Sequence, residues 1–249
     1  SKDELKEKID EITFYLKSCY DGEKNIPEIQ HLKGMIREFE EELVWAHYGV
    51  QVKDIRHMRL GFYTGDIFTE TPQRTRDIQP IYELLKEKKP DVISLALDPE
   101  GSGPDTHYKV LQAIAEAVRT WGEETDITEL KIWGYRNVWY RFDPAEADII
   151  VPVSLNSMAM LQDTFMNCYL SQKNASFPSY ELDGPFSELT RKIWVEQHNL
   201  MEIVLGRDYW YQNKNPRLRA THGLVFLKEL SVDQFLKEAR RLENSIEGQ

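Results

Sequence analysis

The sequence predicts an α/β fold of Rossmann-like type, a mainly parallel sheet with flanking helices and long helices toward the C-terminus, and three observations carry that expectation. Short apolar runs alternate with amphipathic stretches between residues 55 and 135, the pattern of parallel strands joined by crossover helices. Turn-forming residues separate the runs, most densely in "DPEGSGPDTH" at 98–107, which stands between a strand-like and a helix-like stretch. At 249 residues the chain is long enough to bury a sizeable core.

The elements follow in order. Leu5, Ile9, Ile12 and Leu16 share one helical face over 2–18, and Leu32, Ile36, Phe39 and Leu43 share another over 27–48. Pro27 suits a first helical position and Gly49 a stop. "IRHMRL" at 55–60 reads as a strand, 78–88 as a helix, "DVISLAL" at 91–97 as a strand, 106–121 as a helix and "ELKIWGY" at 129–135 as a strand. A further extended run, "ADIIVPV", precedes helical stretches at 155–172 and 185–205. The end is a strand, "GLVFLKEL" at 223–230, and a helix whose Val232, Phe235, Leu236 and Ala239 share a face. No internal repeat or Gly/Ser/Pro-rich linker marks a boundary, so residues 1–249 read as a single α/β domain or the C-terminal portion of one.

Composition narrows the function classes. Forty-two acidic against 31 basic residues give a net charge of −11, which repels a phosphate backbone and argues against nucleic acid as a partner. No apolar run approaches the ~18 residues of a membrane span and no signal peptide is visible, so the expectation is a soluble cytoplasmic protein without a membrane partner. Cys19 and Cys168 lack the spacing of a disulfide framework or a zinc knuckle. Six Trp and twelve Tyr suit carbohydrate surfaces, where a ring offers an apolar face and a polar edge. No phosphate-binding or dinucleotide-binding glycine motif and no serine-hydrolase elbow is present.

Three clusters are able to carry chemistry. In a parallel sheet, ligands bind where strand ends meet helix N-termini, which places Asp98, Asp105 and His107 at such an end. His107 is then a metal ligand or a general acid or base; the alternative is a histidine in solvent on the first turn of a helix capped by Asp105 or Thr106. In "KIWGYRNVWYRF" at 131–142, Tyr135, Arg136 and Trp139 fit a sugar, carboxylate or phosphate, or else an aromatic-rich strand packed on helices. Arg207, Arg217 and Arg219 in "GRDYWYQNKNPRLRATHG" suit an anionic ligand, a neighbouring subunit or solvent. The remaining histidines, 31, 47, 57, 198 and 222, lack partners at ligand spacing.

Taken together, "PEIQHLKGMIREFEEELVWAHYGV", "HMRLGFYTG", "KPDVISLALDPEGSGPDTHYKVLQAI", "LKIWGYRNVW" and "LSQ" resemble consecutive blocks of the LmbE-like (PIG-L) zinc de-N-acetylases, over about residues 27–205. The remainder, 206–249, reads as a C-terminal strand-helix extension. The branch most similar is the one fused behind a glucosamine-6-phosphate deaminase (isomerase) domain. The resemblance implies an amino-sugar or sugar-phosphate ligand, an upstream deaminase domain as partner, and hydrolysis of the amide of an N-acetylated amino sugar. It places His107 at a zinc-ligand position, Arg37 in a helix motif whose arginine contacts substrate, and Tyr135, Arg136 and Trp139 in the "YR..W" block. The family's first ligand motif, of His-Pro-Asp-Asp type, does not occur in this chain, and Pro104 stands where a second loop histidine is common. The expectation is therefore that the chain alone binds no zinc tightly and is inactive, either as a C-terminal fragment of a longer protein or as a lineage without the motif. The alternative function is a non-catalytic sugar-binding or assembly domain, with homo-oligomerisation left open.

Overall fold

A computed structural model describes residues 2–20, 23–63, 69–98, 105–136, 140–174 and 184–247. In chain order they form α1 (Lys2–Ser18), α2 (Pro27–His47), a 3₁₀ turn (Val52–Asp54), a π-helical turn (Arg74–Ile78), α3 (Gln79–Lys88), β1 (Val92–Ala96), α4 (Asp105–Glu124), β2 (Lys131–Tyr135), β3 (Ile149–Ser154), α5 (Leu155–Cys168), α6 (Phe186–Leu205), α7 (Arg207–Tyr211), α8 (Pro216–Arg219), β4 (Thr221–Ser231) and α9 (Val232–Glu247).

The mainly parallel Rossmann-like sheet is not what forms. Among the described residues the sheet has four strands in the order β1-β2-β4-β3, and only β1 and β2 run parallel. β4 lies antiparallel to both β2 and β3, from Lys131 opposite Ser231 to Ile149 opposite Leu227. The physical reason is the connections: only β1-α4-β2 is a strand-helix-strand crossover, as parallel neighbours require. β2 reaches β3 through a loop, and α5 to α8 return the chain so that β4 enters between β2 and β3 in the opposite direction. The result is a mostly helical α/β protein with a small mixed sheet.

The strand expected at 55–60 is also absent, although its alternation is real. Met58 and Leu60 pack against the core, while His57 and Arg59 turn to α2, where His57 meets Glu42 at 3.3 Å and Arg59 forks onto Glu38 at 2.6 Å. Arg59 sits at φ 48°, a left-handed conformation that ends an extended run. The polar side chains of this segment meet a helix rather than solvent beside a neighbouring strand.

The core fills the space between the sheet and α3, α4 and α9. Val118, Trp121, Ile132, Leu224, Leu230 and Phe235 are all buried in it. On β4, Gly223 is required by close packing, because a Cβ there would collide with the Met158 methyl of α5 and press on Trp194 of α6. The apolar faces expected on α1 and α2 face solvent instead: α1 buries no residue, and α2 buries only Ile29 and Glu40. Among the described residues no helix is long and apolar enough to cross a membrane.

Candidate functional site

The parallel pair β1–β2 and the helix between them assemble the candidate site. Gly134 allows Leu97 to lie close against β2, since a Cβ at 134 would meet the Leu97 Cδ2 at 2.7 Å. Leu97 then continues the ladder one residue past β1, its N–H donating to the Tyr135 carbonyl at 2.7 Å. That register carries Asp98 to the carboxyl end of the sheet beside Tyr135. α4 begins at Asp105 and brings His107 back over the same edge, with Nδ1 2.7 Å from Asp98 Oδ2.

This pairing sets the surroundings of His107. A solvated first-turn histidine is not what the structure shows: the side chain is 30% exposed and bonded to a carboxylate that is 5% exposed. Asp98 orients the ring through Nδ1 and leaves Nε2 as the ring nitrogen for a ligand or a proton. Burial, helped by the charge of Asp98, pushes the Tyr135 phenol above its ordinary range, so Tyr135 stays a neutral hydroxyl at physiological pH.

A second polar group flanks the first turn of α4. Thr69 donates a short hydrogen bond to Asp105, and Lys109 Nζ reaches Asp105 Oδ2 and the Thr69 carbonyl, each at 2.8 Å. Burial is the largest influence on Asp105 and raises its carboxyl, but the bonds from Lys109 and Thr69 outweigh it and hold the group below the usual carboxylate range. Thr69 carries no motif and no periodicity, and only its spatial approach identifies it.

The other expected site residues are placed separately. Arg136 is occupied within its own loop: Nη1 donates to the Arg141 carbonyl at 2.9 Å, Glu146 lies at 3.4 Å, and the guanidinium lies 4.2 Å over the Phe142 ring. Trp139 falls outside the described residues. Arg37 is exposed on α2, a helix that packs on α5 and on the 3₁₀ turn. Arg207 turns to Glu202 at 3.1 Å and Arg219 donates to the Asn213 carbonyl at 2.7 Å, while Arg217 is exposed, so these arginines serve different partners. The blocks that contain Glu40 and Ser171 do meet: the buried Glu40 carboxylate accepts from Ser171 N at 2.7 Å and Ser171 Oγ at 2.6 Å.

No three His, Cys, Asp or Glu side chains converge among the described residues in a way that could hold a metal ion. His107 with Asp98 has the posture of a ligand backed by a carboxylate, yet a zinc site needs about three protein ligands. The described residues therefore do not fit a complete zinc centre.

Comparison with known proteins finds a distant relation. The chain is 26% identical over 178 residues to a provisionally named glucosamine-6-phosphate deaminase-like protein of Bacteroides thetaiotaomicron; the match covers 70% of this chain and 26% of that protein. The similarity is distant, and the chain spans about a quarter of that relative's length. No family model matches the chain. No solved structure matches it.

Proposed function

We propose that this chain is an amino-sugar-binding unit of a protein related to glucosamine-6-phosphate deaminase-like proteins, and that the ligand sits at the carboxyl ends of β1 and β2. The observation that carries the reading is the Asp98–His107 pair at 2.7 Å beside Tyr135. A carboxylate, an oriented imidazole and a neutral phenol are the groups that hold the amine and hydroxyls of such a sugar, and His107 Nε2 is placed to give or take a proton. The similarity to a deaminase-like protein supports the choice of an amino sugar over other polyols.

The test is titration of the chain with glucosamine, its 6-phosphate and N-acetylglucosamine, followed by calorimetry or by the His107 ring resonances. Binding of at least one sugar should weaken about tenfold or more in His107→Ala, the loss of one charge-assisted contact. Binding that His107→Ala and Asp98→Asn leave unchanged would move the ligand elsewhere.

A second reading, hydrolysis of an N-acetyl group with zinc, is favoured by the carboxylate-backed posture of His107. It requires ligands beyond the described residues. One zinc per chain after loading, lost in His107→Ala, together with acetate release from N-acetylglucosamine, would establish it.

A further inference from the structure

One buried histidine stands outside the candidate site. His198 on α6 is 6% exposed, and its Nε2 is buried without a hydrogen-bond partner. Its ring lies 4.8 Å from that of Trp210, with 54° between the planes, and Trp210 Nε1 is likewise buried and unpartnered. A neutral imidazole tolerates such a setting at modest cost. An imidazolium carries a charge and a second N–H, and nothing there accepts a bond from Nε2.

The same indole holds α7 in place. Trp210 is the only buried residue of this five-residue helix, and it belongs to the core cluster that contains Leu224 and Phe226 of β4. α7 follows α6 through Gly206, whose φ of 82° suits glycine and strains other residues, with open space where a side chain would stand. α7 is thus a short lever on a glycine joint, docked by one side chain against one histidine. Among the described residues two charges act on the His198 ring: Glu202, one turn along α6, favours the imidazolium, and His222 on β4 opposes it. Arg207 on α7 lies 3.1 Å from Glu202 and offsets its charge. Burial is the largest influence and sets the sign, so the docked ring holds a proton less readily than an ordinary histidine.

We propose that His198 and Trp210 form a pH-sensitive latch: α7 stays docked while His198 is neutral and swings out on Gly206 when the ring takes a proton. Once α7 opens and water reaches the ring, the ordinary histidine value of about 6.5 applies. Docking is therefore at full strength above about pH 6.5 and weakens as pH falls from there through the lowered value of the docked ring. One proton drives the change, so the opening constant rises by at most about tenfold per pH unit in that window.

Nuclear magnetic resonance of the isotope-labelled 249-residue chain tests this. Below about pH 6.5 the protection of the Trp210 indole N–H against solvent exchange should fall by up to about tenfold per pH unit, in step with titration of the His198 ring, while the amides of β4 keep their protection. His198→Phe retains a ring without a titrating group and should hold the indole protection constant over the same range. His222 is exposed, and His222→Ala should leave the change in place. Indole protection in the wild type that does not depend on pH overturns the proposal, as does a change that persists in His198→Phe. If His198→Phe does not fold, a wild-type change that departs from the His198 titration, or that vanishes in His222→Ala, overturns it equally.

Discussion

Asp77 shows how one residue joins two segments of the chain. It is wholly buried, and it accepts hydrogen bonds from the Phe62 N–H at 3.1 Å, the Gln73 N–H at 2.8 Å and Arg76 Nε at 3.0 Å. It thereby ties the segment after 60 to the π-helical turn that leads into α3. Burial raises its carboxyl, but Arg76 and the two backbone donors outweigh burial and hold it below the usual range. A depressed folded value means that the native state favours the ionised form. The stabilisation is complete above the unfolded value of about 3.9 and is lost as pH falls through the depressed folded value. Asp77→Asn should cost about 2–4 kcal/mol at pH 7, because Arg76 and two backbone N–H groups lose a wholly buried charged acceptor. Urea unfolding at pH 7 and at pH 3 measures this, and the gap between wild type and variant should narrow at the lower pH. Equal stability of the two at pH 7 would remove Asp77 from this role.

At the scale of elements, α2 is held to the turn after α5 by polar groups rather than by its apolar stripe. Glu40 accepts two bonds from Ser171, and Tyr169 donates a short one to Glu41. Ser171→Ala removes one bond and should cost about 1 kcal/mol, while Glu40→Ala removes both bonds to a buried carboxylate and should cost about 2 kcal/mol; thermal unfolding of the two variants ranks them. The sequence blocks holding Glu40 and Ser171 were legible as blocks, but their contact was not, since it depends on how two distant helices dock. The longer helices were legible, because the 3.6-residue period needs no tertiary information, whereas the short α7 and α8 were not, being too brief to show that period. β4 was legible within two residues, from its continuous apolar run. Strand direction was not: alternation of strands and helices predicts parallel pairing, and the antiparallel entry of β4 follows from the return path of α5 and α6. The 55–60 segment misled for a related reason. Its alternation is that of a strand, but its polar side faces Glu38 and Glu42 on a helix. At the site, the strand-end position of His107 and its acidic neighbour Asp98 were legible from the turn-rich loop, whereas Thr69 was not.

Taken whole, the molecule divides its stability unevenly, and that division has a measurable form. β2 and β4 are the central strands of the sheet, and Ala117, Val118 and Trp121 of α4 are buried in the same core. Their amides should open only with global unfolding, at about 5–15 kcal/mol for a domain of ordinary stability. α1 has no buried side chain and contributes nothing to that core. Its amides should therefore exchange close to the unprotected rate, several orders of magnitude faster than those of β4. Hydrogen exchange followed by mass spectrometry makes the comparison. Strong protection of α1 would mean that it is covered. The core helices and the first helix would then form one cooperative unit rather than two.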